Sequence, residues 1–467
     1  MLAWIESRKA ELTALSDRIW EYAEVGLQEH RSARELEAFA RAQGFSVESG
    51  VAGMPSAFVA SWGQGAPVLA FLGEYDALPG VSQKRSPQRE PVQPGAPGHG
   101  CGHNLLGVAA LAAACALQER MRAEGLPGTV RYYGCPAEET LVGKVFMVRD
   151  GLFSDVDVAL DWHPTALNAV RNHSTTALNS AKFTFFGRTS HAAGDPQNGR
   201  SALDAVELMN IGANYLREHT IEKARLHYVI TDGGGEPNVV PGRAQVWYYV
   251  RAPERDQVED IYQRLLNIAR GACLMTDTSF EPEFLSGCYN YLPNQALNSV
   301  LQQHMEAVGP NQWTEAELEF ARRLAESFPK GQKEAGLKAM KAPPEVFDQL
   351  IHASILPYRD EETSGGGSTD VGDVSWVTPT GRFGVACGVL GQPGHSWQVA
   401  AASGMSIGHR GMLMAAKVLA SAGLDLMTDA AKIQKAREEW QQRTREHPYR
   451  SPLPEGLQPP LHQLPSH

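Results

Sequence analysis

With 467 residues, 43% of them hydrophobic and 20% charged, the chain has the make-up of a soluble globular protein and exceeds one ordinary domain. A formal net charge of −11 argues against a nucleic-acid partner, which would call for a basic face. No run approaches the ~18 apolar residues of a membrane span. The N-terminal MLAWIESRKAELTALSDRIW lacks the apolar core and cleavage site of a signal peptide, so a cytoplasmic protein with no membrane partner is expected.

That first stretch reads as an amphipathic helix, with Ile5, Leu12, Leu15 and Ile19 near one face. SAFVASWG (56–63), VLAFLG (68–73), TVRYYGC (129–135) and VDVALDW (156–162) are short apolar runs bounded by Gly, Pro or Asp, and residues 104–121 between them form a helix. Buried strands alternating with helices predict an α/β layer, a mostly parallel sheet with helices on both faces. Residues 79–98 are too rich in Pro, Gln and Gly for either element and form a long loop.

From 180 to 290 the rhythm changes to strand, helix, two strands, helix, strand, the βαββαβ order of a ferredoxin-like unit. The expected division is therefore a first domain over 1–178, an inserted domain over 179–291, and a return to the first domain over 292–467. Residues 310–365 are helical and charged, 383–391 form a buried strand and 406–424 a long helix. The Pro-rich stretch 448–467 is expected to be irregular.

Six cysteines, at 101, 115, 135, 273, 288 and 387, are scattered, which disfavours a disulfide framework. Cys115, Cys135 and Cys387 sit in apolar runs and read as core thiols. Cys101 differs, because GHGCGHN places it two residues from His99 and from His103. Four further stretches carry unusual polar groups at predicted strand ends: GEYDALPG, GCPAEE, DWHP and PGHSW. In an open parallel sheet ligands bind beyond the carboxyl ends of the strands, where such groups converge. The converging set is Cys101, His103, Glu139, His163 and His395. Thiolate, imidazole and carboxylate together suit zinc or a similar divalent metal, and this many donors suggests two ions. Glu138 and Glu139, if they end a strand, point to opposite sides, one toward metal and the other toward substrate. Asp76 is placed to orient a ligand.

GEYDALPG, GHGCGHNLLG, PAEE, WHP, SHAA, PNVVP, VRAPE and STDVGDVSW together resemble the dinuclear metallohydrolase family of aminoacylases and carboxypeptidase-like amidohydrolases. Within that family the chain is most similar to the branch of indole-acyl-amino-acid hydrolases and hippurate hydrolases, in which a Cys-x-His pair supplies metal ligands. The resemblance spans nearly the whole chain. It implies two divalent ions, Zn²⁺ or Mn²⁺, held by Cys101, His103, Glu139, His163 and His395, with Cys101 the candidate bridge. It makes Glu138 the general base and acid, and the inserted domain a lid and dimerisation unit. His191 would reach from a partner chain to polarise the scissile carbonyl, while Asn238 and Arg251 contact the substrate. Many relatives have His-x-Asp where this chain has Glu74-Tyr75-Asp76, which leaves the role of Glu74 open. The implied activity is hydrolysis of an aroyl-glutamate. The alternatives are another N-acyl amino acid or dipeptide, or a non-catalytic member of a heteromeric enzyme. The expected assembly is a homodimer, or a heteromer with a related chain.

Overall fold

A computed structural model describes residues 1–461; positions 462–467 of the expected irregular tail lie outside the described residues. In chain order the strands are β1 (Ser46–Ser49), β2 (Phe58–Gln64), β3 (Val68–Glu74), β4 (Gly128–Cys135), β5 (Val158–Thr165), β6 (Ala169–Val170), β7 (His173–Ser174), β8 (Ala177–Phe186), β9 (Arg225–Asp232), β10 (Arg243–Ala252), β11 (Ser279–Cys288), β12 (Thr363–Ser364) and β13 (Thr380–Ala386). Seven of them form one sheet in the order β1-β2-β4-β3-β5-β13-β6.

The parallel character is confined to the centre, where β4, β3, β5 and β13 run together. β3 is buried at every position, as a strand covered on both faces should be. The flanking pairs β1–β2, β2–β4 and β13–β6 are antiparallel. For β2 the short connection accounts for this: only residues 65–67 separate it from β3, too few for a crossover, so β2 runs opposite to β3 and hence to β4, which lies between them and parallel to β3.

Helices cover both faces. On one side the helices His103–Glu124, Gln295–Val308 and Ser406–Thr428 pack into a core with Leu69, Phe71, Leu160 and Val385. On the other, Gly143–Arg149 and Val371–Val377 pack with Ala70, Leu72 and Ala159. Ser406–Thr428 is long and apolar enough to cross a membrane, but 72% of its most apolar stretch is buried inside the protein. Gly107 brings the helix His103–Glu124 against the end of β3, since a Cβ there would stand 2.6 Å from the Glu74 carbonyl oxygen. That close approach sets the start of the helix beside the strand's carboxyl end.

A second sheet, β11-β8-β10-β9, is antiparallel throughout. The helices Ala202–Leu216 and Arg255–Thr276 pack on it around a core of their own that includes Phe183, Val206, Val246 and Leu265. The sequence order β8, helix, β9, β10, helix, β11 is the expected βαββαβ pattern.

Candidate metal centre

The carboxyl ends of β3, β4 and β5 deliver one cluster. β3 ends at Glu74 and leads into Asp76, β5 carries His163, and the loop after Gly98 supplies Cys101 before the helix opens on His103. Cys101 Sγ lies 3.5 Å from His163 Nε2, and His395 Nε2 lies 3.5 Å from a Glu139 carboxylate oxygen. His103 Nδ1 is 2.7 Å from Asp76 Oδ1, and its Nε2 faces Glu74 and Glu138 at 3.3 and 4.0 Å. Asp76 also accepts the Glu139 backbone N–H at 2.9 Å. One buried carboxylate thus orients the His103 ring and the turn that carries the glutamates.

That turn departs from the expected strand end. Pro136 has no N–H to extend β4, and Glu138–Thr140 form a 3₁₀ turn between Ala137 and Leu141, both left-handed at φ +56° and +58°. The turn separates the two side chains, Glu139 toward His395 and Glu138 toward His103.

Potential ligand atoms fall into three groups, each within 4.8 Å: Cys101–His103–His163, Cys101–Glu139–His395 and Glu74–His103–Glu138. The first two hold the five residues singled out in the sequence and share Cys101, and a thiolate can bridge two ions. Buried His103 Nε2, Glu139 Oε1 and Glu74 Oε2 have no hydrogen-bond partner among the described residues. His103 and Glu139 belong to the two different donor sets that share Cys101, so a cation in each set would satisfy its orphaned atom, and the donors fit divalent metal.

The electrostatics point the same way. Burial, reinforced by the Arg382 charge, pulls His163 down to about 3, so its ring is neutral and free to donate a lone pair. Burial also pushes Glu139 up to about 7 and Cys101 up to about 12, with neighbouring carboxylates adding to each. Glu138 is raised well above its ordinary value by burial and by Glu74, Asp370 and Glu139. Crowded, desolvated acids are what a bound divalent cation reverses.

Glu74 finds a role that the sequence leaves open. Its Oε1 accepts from Lys144 Nζ at 2.6 Å, and the same ammonium reaches Asp370 Oδ1 at 2.6 Å, all three side chains being fully buried. Burial would raise the Glu74 pKa, but Lys144 and His103 outweigh it and hold it at about 2. Lys144 also donates its backbone N–H to Asp370 at 2.8 Å. Asp370 ends a loop whose Gly367, Ser368 and Thr369 line the neighbouring cavity, so the ion triad ties that wall to the cluster.

The cavity has a volume of about 580 Å³ and is lined by Cys101, Glu138, Glu139, His163, His395 and Arg251, among others. Arg251, on β10, donates to Ser368 Oγ at 3.1 Å and stands 5.5 Å from the Tyr249 ring centroid. His191 and Asn238 do not line it. They sit together on exposed loops of the second sheet, where Ala192 N–H donates to the Asn238 carbonyl at 2.9 Å. Gly194 N–H donates to His191 Nδ1 at 3.0 Å, which leaves Nε2 to carry the ring proton.

A donor cluster of this make-up, at the strand ends of a mixed α/β sheet and opening on a cavity with a guanidinium in its wall, defines a hydrolase that works through divalent metal ions. Comparison with known proteins narrows this. Residues 173–274 match the M20 peptidase dimerisation domain. Over 97% of its length, and 97% of the relative's, the chain is 43% identical to one of the two named subunits of the p-aminobenzoyl-glutamate hydrolase of Escherichia coli (strain K12). It is 26% identical to the other, over 54% of this chain and 59% of that one. It is 29% identical to Xaa-Arg dipeptidase of Mus musculus, over 93% of this chain and 90% of that one. Among solved structures, an aminobenzoyl-glutamate utilization protein from Klebsiella pneumoniae aligns with a TM-score of 0.61 and 17% identity, covering 91% of this chain and 97% of that one. A dinuclear metal binding peptidase of the M20 family from Bacillus subtilis aligns at 0.55 and 16%, covering 90% and 99%. The chain belongs to the M20 family of metallopeptidases and amidohydrolases, alongside the E. coli hydrolase chain that it matches end to end.

Proposed function

We propose that this protein hydrolyses the amide bond of an N-acyl amino acid, with p-aminobenzoyl-glutamate, cut to p-aminobenzoate and glutamate, as the first substrate to test. The observation that carries the reading is Glu138, poised beside two donor sets that share Cys101, in a cavity that also holds Arg251. Two ions, Zn²⁺ or Mn²⁺, would be held by Cys101, His103 and His163 on one side and by Cys101, Glu139 and His395 on the other. When bound they acidify water and polarise the carbonyl. Glu138 takes the proton of the attacking water and delivers it to the leaving nitrogen. Asp76 keeps His103 in the tautomer that presents Nε2. Arg251 pairs its planar fork with a carboxylate of the amino acid.

His191 supplies a hydrogen bond to the developing oxyanion of a partner's site, and Asn238 contacts substrate beside it. The lid and dimerisation unit, residues 179–291, has the surface for this: β9 is an edge strand with Val229 and Ile230 exposed, and Ile211, Tyr215, Leu274 and Met275 are exposed on its helices. We read the partner as a second copy. Two of the E. coli relatives are named as different subunits of one hydrolase, which supports a second reading in which the partner is a related chain. The intact ligand set and Glu138 speak against a purely structural role. The Xaa-Arg dipeptidase relative supports dipeptides as alternative substrates. Six free thiols, five of them buried, suit the reducing cytoplasm in which we place the enzyme.

Purified protein assayed on a panel of N-acyl amino acids and dipeptides tests the reaction; no turnover on any of them, with metals bound, overturns it. Elemental analysis should find two divalent ions per chain, about the number the two donor sets provide. Cys101→Ser should lower both occupancies because both sets use the thiolate, whereas Glu139→Gln should empty mainly one. Arg251→Ala should raise KM for N-acyl amino acids by roughly 10–150-fold, the worth of a charge-assisted hydrogen bond. An N-acyl amine without a carboxylate should be cut no more slowly than by the wild type, and equal losses on both would make Arg251 structural.

A further inference from the structure

The cavity does not end at Arg251. Its wall also includes Ala169, Arg171, His173 and Met340, and the same four residues border a second recess of about 240 Å³. The wall is held in place by the main sheet. Val170 and Ala169 of β6 pair with Phe383 and Gly384 of β13, and Asn298 Nδ2 donates to the Arg171 carbonyl at 3.4 Å.

Arg171 has no anion of its own. Its Nη2 donates to Met340 Sδ at 2.9 Å, a weak acceptor, and among the described residues no carboxylate pairs with it. The residue is exposed as a whole, its pKa is lowered by desolvation against the cavity wall, and no acidic group acts on it. The nearby cations are accounted for otherwise. Arg382 is paired with Asp161 at 2.7 Å, and Lys341 in the recess with Glu361 at 2.9 Å. Arg251 is given above to a carboxylate of the amino acid. A guanidinium in the wall of a substrate cavity, anchored by a sheet strand and left without a counter-charge, is suited to an anion that arrives with the ligand.

We propose that Arg171 binds a second carboxylate of the substrate, the side-chain carboxylate of the released amino acid, and so selects N-acyl glutamate or aspartate over their neutral counterparts. This rests on the hydrolase reading above and deepens it, giving the α-carboxylate to Arg251 and the side-chain carboxylate to Arg171.

The test compares two substrates with one aroyl group, one ending in glutamate and the other in glutamine, which keeps the shape and removes the charge. The wild type should prefer glutamate. Arg171→Met should raise KM for the glutamate substrate by roughly 10–100-fold, with kcat little changed and the glutamine substrate affected less than about 3-fold. Arg171→Lys should restore part of the preference. Equal losses on both substrates, or an unchanged preference in Arg171→Met, would overturn the assignment. If the wild type cuts neither substrate, the hydrolase reading fails first. Calorimetric binding then decides Arg171: weaker binding of aroyl-glutamate to Arg171→Met than to wild type supports it, and equal or undetectable binding to both rejects it.

Discussion

Replacing Glu138 with glutamine should lower turnover by roughly 10²–10⁴-fold while the metal content stays at the wild-type level. The amide keeps the size and reach of the side chain but cannot accept a proton from water. Glu138 lines the cavity, and its carboxylate stands 4.0 Å from His103 Nε2. It belongs to neither donor set that shares Cys101, so its loss leaves those ligands complete. Stability gives a second readout. Burial and the charges of Glu74, Asp370 and Glu139 all oppose ionisation of Glu138, so neutralising it in metal-free protein should leave the unfolding midpoint unchanged or raise it. Glu139→Gln should behave differently, losing metal and activity together. A Glu138→Gln variant that turned over near the wild-type rate would move the base to another residue.

The parts of this site that can be read from the sequence share one property: each is a polar group set where an apolar strand or a glycine-rich loop gives way to the next element. Cys101 and His103 interrupt a glycine-rich loop, His163 closes VDVALDW, and Glu138 and Glu139 follow TVRYYGC. Polar groups at such places have few structural reasons to exist, so their chemistry stands out. The ion triad shows the opposite case. Lys144 is 70 residues from Glu74 and 226 from Asp370, and local pattern cannot pair groups so far apart. Its one visible sign is a cation beside the apolar run of GKVFMVR, a short helix buried from Gly143 to Val148. Arg171 leaves no sign at all, because its role depends on what the folded wall lacks. The sheet is legible at its centre, where continuous apolar runs mark doubly covered strands. Its antiparallel flanks depend on which strands become neighbours, and β4 lies between β2 and β3 although it follows both. The glutamate turn escapes the sequence for a local reason: a left-handed alanine after Pro136 is a conformation no propensity predicts.

Mixing two inactive variants should restore activity if His191 serves a partner's metals. In the single chain His191 is exposed and does not line the cavity that holds Glu138, an arrangement that fits a residue offered to a second chain's site. Glu138→Gln and His191→Ala should each be inactive by roughly 10²-fold or more, one lacking the base and the other a hydrogen bond to the oxyanion. In a mixed dimer the His191→Ala chain keeps its own Glu138 and ligands and receives His191 from its neighbour. One of the two sites is then complete, while the other lacks both groups. Equal amounts of the two chains pair at random into about half mixed dimers, so co-refolding should recover about a quarter of wild-type activity. That is a rise of more than tenfold over either variant, too large to confuse with residual turnover. Differently tagged chains show whether mixed dimers formed. Mixed dimers without recovered activity would mean that His191 acts within its own chain or takes no part. If the tagged chains do not pair with one another, the site is completed by a different protein, and adding that protein to Glu138→Gln should leave it inactive while wild-type chain gains activity.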